Sequence, residues 1–154
     1  MSERRQFCTF RLDGHFLGVE VERVQEVIRY QEMTPVPLAA AAVSGLINLR
    51  GQIVTAIDLR QCLGMPPRPD GKLPINVVVR ANDRAVSLLV DEIGDVLDVP
   101  VDSFEESPST LDSLDRSLFA GVYKLDGGLL LVLDTEQAVA RGITSVAADF
   151  TARA

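Results

Sequence analysis

Tryptophan is absent, and aromatic residues make up only 5% of the 154 positions, which argues against a base-stacking platform for single-stranded nucleic acid. Basic charge is also scarce. Fifteen Lys and Arg against 22 Asp and Glu give a formal net charge of −7, the wrong sign for a phosphate backbone or an anionic lipid surface. Long hydrophobic runs are missing: LAAAAV at 38–43 and LLLVL at 129–133 fall far short of the roughly 20 residues that span a bilayer. The start, MSERRQFCTF, lacks the apolar core of a secretory signal. These absences predict a cytoplasmic chain with no direct membrane insertion and no nucleic-acid partner.

Chemistry-bearing residues are equally sparse. Cys8 and Cys62 stand alone with no CxxC spacing, which in a reducing compartment reads as two small core hydrophobes. The one histidine, His15, follows a turn signal. No glycine-rich nucleotide fingerprint or Walker pattern occurs. Glu105 and Glu106 lie in a polar stretch and read as solvated. The expectation is a protein that is not an enzyme, with no catalytic residue, no cofactor and no metal. A small-molecule-binding β-barrel is the rival reading, and it would need polar groups converging on a pocket.

What is present is a β pattern. With 47% hydrophobic residues the chain can bury a core of useful size. QFCTFRL and HFLGVEV flank Asp13-Gly14, a strong hairpin signal. Val21, Val24, Val27 and Ile28 follow a helical spacing, which predicts one or two helical turns in VERVQEVIRY. Pro35 and Pro37 force an extended or turning segment. GLINLRGQIVTAIDL reads as two strands joined at Arg50-Gly51, with the glycine supplying a positive φ. MPPRPDGKLP at 65–74 is the best linker candidate. Beyond it, INVVVRA and AVSLLVDE form a second hairpin around NDR, and GVYKLDGGLLLVLDT a third, turning at 126–128. The polar stretch 103–117 reads as a loop, and TEQAVARG as a short helix ended by Gly142.

The two halves resemble each other. GVEVERVQEVI (18–28) aligns with SLLVDEIGDVL (87–97), and IVTAIDLRQCL (53–63) with LLLVLDTEQAV (129–139). In the second match an apolar strand runs into Asp-x-x-Gln at both Asp58 and Asp134, a helix-capping signal. Each half has four or five short strands, too few to stand alone comfortably. A duplicated β unit, two small barrels sharing an apolar seam, is the economical solution. Glu26 and Arg50 are the remaining charges of interest. Both could be solvated surface groups, or a pair in a partly dry groove.

The ordered set RVQEVIRY, TPVP, VSGLINLRGQIVTAIDLR, LLVDEIGDVL and AGVYKLDGGLLLVLDTEQAV resembles the CheW-like family of chemosensory coupling proteins. Thr55 departs from that pattern, standing where many relatives carry proline. The resemblance implies a mainly β fold of two packed five-stranded SH3-like β-barrels with short helices. It implies one domain over 7–141, with barrels near 7–64 and 74–141 whose strands intertwine, and a C-terminal tail at 142–154. It implies a non-enzymatic adaptor. Its partners would be the cytoplasmic tip of a methyl-accepting chemoreceptor and the regulatory domain of the histidine kinase CheA, in an array at the membrane. By position in the family's motifs, coupling residues would be Glu26 and Arg50, with Val24, Gly45, Ile75 and Val96 in a groove between the barrels. The chain is too short for an added kinase core or receiver, so a stand-alone adaptor is expected.

Overall fold

The computed structural model describes residues 4–105, 116–125 and 128–143. Eleven strands, β1 to β11, form two sheets among these residues. The first half holds β1 (Arg4–Leu12), β2 (His15–Glu20), β3 (Val24–Ile28), β4 (Val43–Leu49) and β5 (Gln52–Asp58). The second holds β6 (Ile75–Ala81), β7 (Arg84–Val90), β8 (Glu92–Pro100), β9 (Phe104–Glu105), β10 (Phe119–Leu125) and β11 (Gly128–Leu133). The short helix α1 (Leu59–Cys62) follows β5, and a second helix, α2, covers 135–143 after β11.

Three hairpins turn on two residues with positive φ: Asp13 and Gly14, Arg50 and Gly51, Asn82 and Asp83. This mirror-image turn matches the right-handed twist of the paired strands. At the middle turn Asn48 Oδ1 accepts from the Gly51 N–H at 2.9 Å. The predicted turn residues 126 and 127, and the stretches 106–115 and 144–154, lie outside the described residues.

One sheet has the order β8-β1-β2-β11-β10-β9, the other β3-β6-β7-β5-β4. Each is built from both halves. The β1–β2 hairpin joins β8, β9, β10 and β11, while the β6–β7 hairpin joins β3, β4 and β5. The repeat is visible in the pairing itself. β3 lies on β6 and β8 on β1, both antiparallel; β5 lies on β7 and β11 on β2, both parallel. Thr55, the departure from the family pattern, sits in regular register between Leu46 and Val86.

Among the described residues three apolar clusters follow from this layout. The first lies between the sheets and takes side chains from both, including Cys8, Phe10, Leu17, Val77, Val79, Leu88 and Leu131. The second fills the inside of the first sheet with Phe7, Val99, Tyr123, Leu130 and Val132. The third fills the second sheet with Ile47, Val54, Ala56 and Leu89. Alternation explains the division: Phe7 enters its own sheet's interior, while Cys8 and Phe10 face the seam. Both cysteines are buried, and burial pushes the Cys8 thiol above its ordinary range.

Two local expectations are corrected. The predicted helical turns at 21–28 are a single 3-10 turn, Val21–Arg23, followed by strand β3. Burial in β3 alternates residue by residue, and β6 supplies the hydrogen-bonded edge that fixes β-branched Val24, Val27 and Ile28 as a strand. Gly142 does not end α2 but lies within it. A Cβ there would come within 2.9 Å of Ile57 Cδ1, so the glycine serves close packing of helix on strand. The two predicted caps hold: Asp58 Oδ1 accepts from the Arg60 N–H and Asp134 Oδ1 from the Gln137 N–H, each at 3.1 Å.

Candidate functional site

Strands β3 and β4 are the two outer strands of their sheet. Laid flat, five strands about 4.8 Å apart would separate these edges by roughly 19 Å. Yet Glu26 on β3 touches Arg50 at the far end of β4, so the sheet is rolled. Thr34, six residues past β3, bridges to β4 by exchanging two backbone hydrogen bonds with Leu46, at 2.9 and 2.8 Å. Gly45 makes this bridge possible. A Cβ there would lie 2.7 Å from the Thr34 carbonyl oxygen and 3.0 Å from Met33 Cβ.

At the rim of the rolled sheet, Arg50 Nη1 donates to Glu26 Oε2 at 2.7 Å. The hairpin turn projects Arg50, whose side chain is 79% exposed, while that of Glu26 is 18% exposed. The carboxylate is thus held partly dry against the sheet, and most of the guanidinium faces outward with donors to spare. Such a rim pair contributes only about 0–1 kcal/mol to stability. Its value is a fixed orientation of two charges.

The other sequence-derived site residues distribute as follows. Val24 and Ile75 are half-buried against the cluster between the sheets. Gly45 is buried on β4 beneath Thr34. Val96 lies on β8, in the other sheet, and is 56% exposed. Its register partner is Cys8, so it too is on the face turned toward the seam. The structure therefore brings Glu26 and Arg50 into contact, sets Val24 and Ile75 along one side of the seam, and puts Val96 on the opposite sheet.

A charged cluster that sequence reasoning missed lies where the repeat units meet. Arg60, on α1 and 8% exposed in its side chain, donates from Nε to Asp91 Oδ1 at 3.0 Å and from Nη2 to Asp91 Oδ2 at 2.6 Å. Its Nη1 donates to the Pro66 carbonyl at 2.9 Å and lies 3.6 Å from Asp13 Oδ1. Arg68 Nε adds a bond to Asp91 Oδ1 at 3.0 Å, and the Asp13 backbone N–H one to Oδ2 at 2.8 Å. Burial alone would raise the Asp91 carboxyl, but the bonds from Arg60, Asp13 and Arg68 outweigh it and hold the group below its usual range. The Arg60 guanidinium is pushed up, chiefly by its bond to Asp91. The cluster ties the turn of the β1–β2 hairpin, the end of β7, α1 and the linker after it into one node. The signal was present in the sequence: Asp91 ends a largely apolar run, AVSLLVD, where a carboxylate needs a partner.

A polar depression of about 540 Å³ is lined by Arg4, Arg5, Gln6, Glu20, Glu22 and Asp98. Four of its charges already pair, Arg4 with Asp98 at 3.1 Å and Arg5 with Glu20 at 3.9 Å. Among the described residues no group of three or more His, Cys, Asp or Glu is arranged to hold a metal ion. Among them, too, no helix is long and apolar enough to cross a membrane.

Comparison with known proteins gives a consistent result. The model of the CheW-like domain matches residues 6–142. The chemotaxis protein CheW of Thermotoga maritima is 30% identical over 134 residues, covering 87% of each chain. That of Rhizobium meliloti is 29% identical over 132 residues, covering 86% of this chain and 85% of its own. Protein PilI of Pseudomonas aeruginosa is 31% identical over 114 residues, covering 74% of this chain and 64% of its own. In structure, the scaffolding protein TtCheW of Thermoanaerobacter tengcongensis superimposes with a TM-score of 0.81 at 25% identity, covering 90% of this chain and 92% of that one.

Proposed function

The chain belongs to the CheW-like domain family, and from that membership we propose that it acts as a non-enzymatic adaptor coupling chemoreceptors to a CheA-type histidine kinase. The seam between the sheets takes the receptor's cytoplasmic tip. Val24, Gly45, Ile75 and Val96 supply its apolar walls and its closure, and the Glu26–Arg50 pair presents an oriented charge at its rim. The kinase's regulatory domain binds elsewhere on the rolled sheets. Residues 7–141 act as one unit, and the chain works in the cytoplasm, recruited to receptor arrays at the membrane. No cofactor takes part.

The family match over 6–142 carries this reading, and the preformed 2.7 Å pair supports the assignment of the rim. Adaptor contacts can be individually modest, because an array raises their effective concentration. The test is Arg50→Glu, which sets two carboxylates against each other at an exposed rim. The variant is expected to keep the wild-type circular dichroism spectrum and to lose co-sedimentation with receptor tip and kinase. Receptor-controlled kinase activity persisting in that variant would remove Arg50 from the coupling site.

A further inference from the structure

Two buried polar side chains sit inside the rolled sheet, away from the rim. Asn76 on β6 is 1% exposed and Ser87 on β7 is fully buried. Asn76 lies opposite Leu89, whose cluster fills that sheet. The fold does not require polarity there. The repeat matches β6 to β1 and β7 to β2, which sets Phe7 in the place of Asn76 and Gly18 in the place of Ser87. A Cβ on Gly18 would lie 3.3 Å from Phe7 Cβ, so the glycine leaves room for one large apolar side chain. A polar pair is costly to bury unless its groups are bonded, so its partners show what it is for.

Asn76 Nδ2 donates to the Arg29 carbonyl at 3.1 Å, and Ser87 Oγ donates to Asn76 Oδ1 at 2.7 Å. A carbonyl only accepts, so the amide nitrogen is the end that faces Arg29. Arg29 is the first residue beyond β3. The ladder of β3 on β6 ends at Ile28, opposite Asn76, and is already interrupted by a bulge between Val24 and Glu26. In the other unit the ladder of β8 on β1 runs three pairs further, from Leu97–Phe7 to Pro100–Arg4. The Asn76 amide thus adds a bond at the point where the ladder of β3 gives out.

Glu26 depends on that hold. It shares a half-buried face of β3 with Ile28, and the two lie opposite Val78 and Asn76. Arg50 reaches Glu26 from beyond β4, at the other edge of the sheet, and no ladder joins β3 to β4 among the described residues. The 2.7 Å contact therefore relies on β3 keeping its place on β6.

We propose that Asn76 is a positioning residue for the Glu26–Arg50 pair: its amide pins the end of β3 through the Arg29 carbonyl and so holds the Glu26 carboxylate where Arg50 meets it. The consequence for coupling rests on the adaptor reading; the effect on the pair does not.

The test sets two variants of the full chain against each other. Ser87→Ala strands Asn76 Oδ1 but leaves Nδ2 on the Arg29 carbonyl. Asn76→Val combined with Ser87→Ala removes both polar groups together, a change that is often nearly neutral in a buried site, and valine suits a strand. The single variant is expected to be the less stable of the two in urea and yet to keep the pair. The double variant is expected to loosen it. The pair is read from the Glu26 carboxyl carbon signal, as the displacement caused by adding Arg50→Gln to each background, with the amide spectrum certifying each fold. That displacement should match wild type in Ser87→Ala and fall by about half or more in the double variant. Co-sedimentation with receptor tip and kinase should weaken by up to about fivefold in the double variant alone. A displacement that survives in the double variant, or that falls in step with stability across both, overturns the proposal. A loosened pair with undiminished co-sedimentation overturns the link from Asn76 to coupling. Full coupling by Arg50→Glu overturns the adaptor-site assignment instead, and the Glu26 signal still decides the positioning.

Discussion

Asp91→Asn tests the charged node more severely than any other single change. Asp91 accepts two bonds from Arg60, one from Arg68 and one from the Asp13 N–H, all at 2.6–3.0 Å. The amide cannot compensate two guanidinium charges, and Arg60, 8% exposed, would keep only carbonyl partners and the more distant Asp13. Breaking a buried pair from one side costs about 3–5 kcal/mol. The lower end applies here, because Asp91 itself is 19% exposed and water can enter. For a chain of this size about 3 kcal/mol lowers Tm by roughly 6–12 °C. Arg60→Met should cost less, about 2 kcal/mol, because Asp91 keeps Arg68 and the Asp13 N–H. The double variant should then recover part of the sum, leaving a coupling energy of about 1–3 kcal/mol in a urea-denaturation cycle. The pH dependence has a definite sign. The folded-state pKa of Asp91 is lowered, so its contribution is complete above the ordinary carboxylate value and is lost as pH falls from there through the folded value. The wild type should therefore lose its advantage over Asp91→Asn in acid. A cost below about 1 kcal/mol, or strict additivity, would refute the assignment of the node as a coupled buried unit.

Other expectations concern smaller features. Ser87 Oγ donates to Asn76 Oδ1 at 2.7 Å in a buried site, so Ser87→Ala should cost about 1–3 kcal/mol in urea unfolding by stranding that oxygen. Gly45→Ala should cost about 1–3 kcal/mol and speed exchange of the Leu46 amide, because the new Cβ displaces the Thr34 carbonyl. Glu26→Ala should change stability by less than about 1 kcal/mol while weakening assembly with receptor and kinase, a separation readable by pairing calorimetry with co-sedimentation.

Local signals carried the sequence reading where local chemistry decides the structure. Asp13-Gly14, Arg50-Gly51 and the NDR turn are set by residues that tolerate positive φ, and their hairpins appear as expected. Asp58 and Asp134 are caps because their carboxylates sit one position before a helix. The segment at 21–28 failed for the opposite reason: its apolar spacing is compatible with a helix, and only the distant edge of β6 makes it a strand. Partner exchange between β3 and β8 is likewise invisible to any window of sequence, since Arg4 pairs with Pro100 and Val24 with Val79. The linker at 65–74 was placed by its prolines, but its tether through Arg68 depends on Asp91 some twenty residues on. Glu26 and Arg50 were singled out by motif position; their distance, and the unequal exposure of the two groups, needed the rolled sheet.

The exchange of hairpins also constrains how the chain is made. The N-terminal strand β1 has β2 beside it almost at once, but its outer neighbour ends only at Pro100. At about 5–20 residues per second, the ribosome takes roughly 5–20 s to deliver that strand. During the wait β3, too, lacks β6, so neither sheet can be completed from what has been translated. A nascent first half therefore presents bare strand edges to its surroundings, and a truncated message would yield a sticky fragment rather than half of a working molecule. Because each sheet takes strands from both halves, a fragment of either half is expected to leave strand edges unpaired.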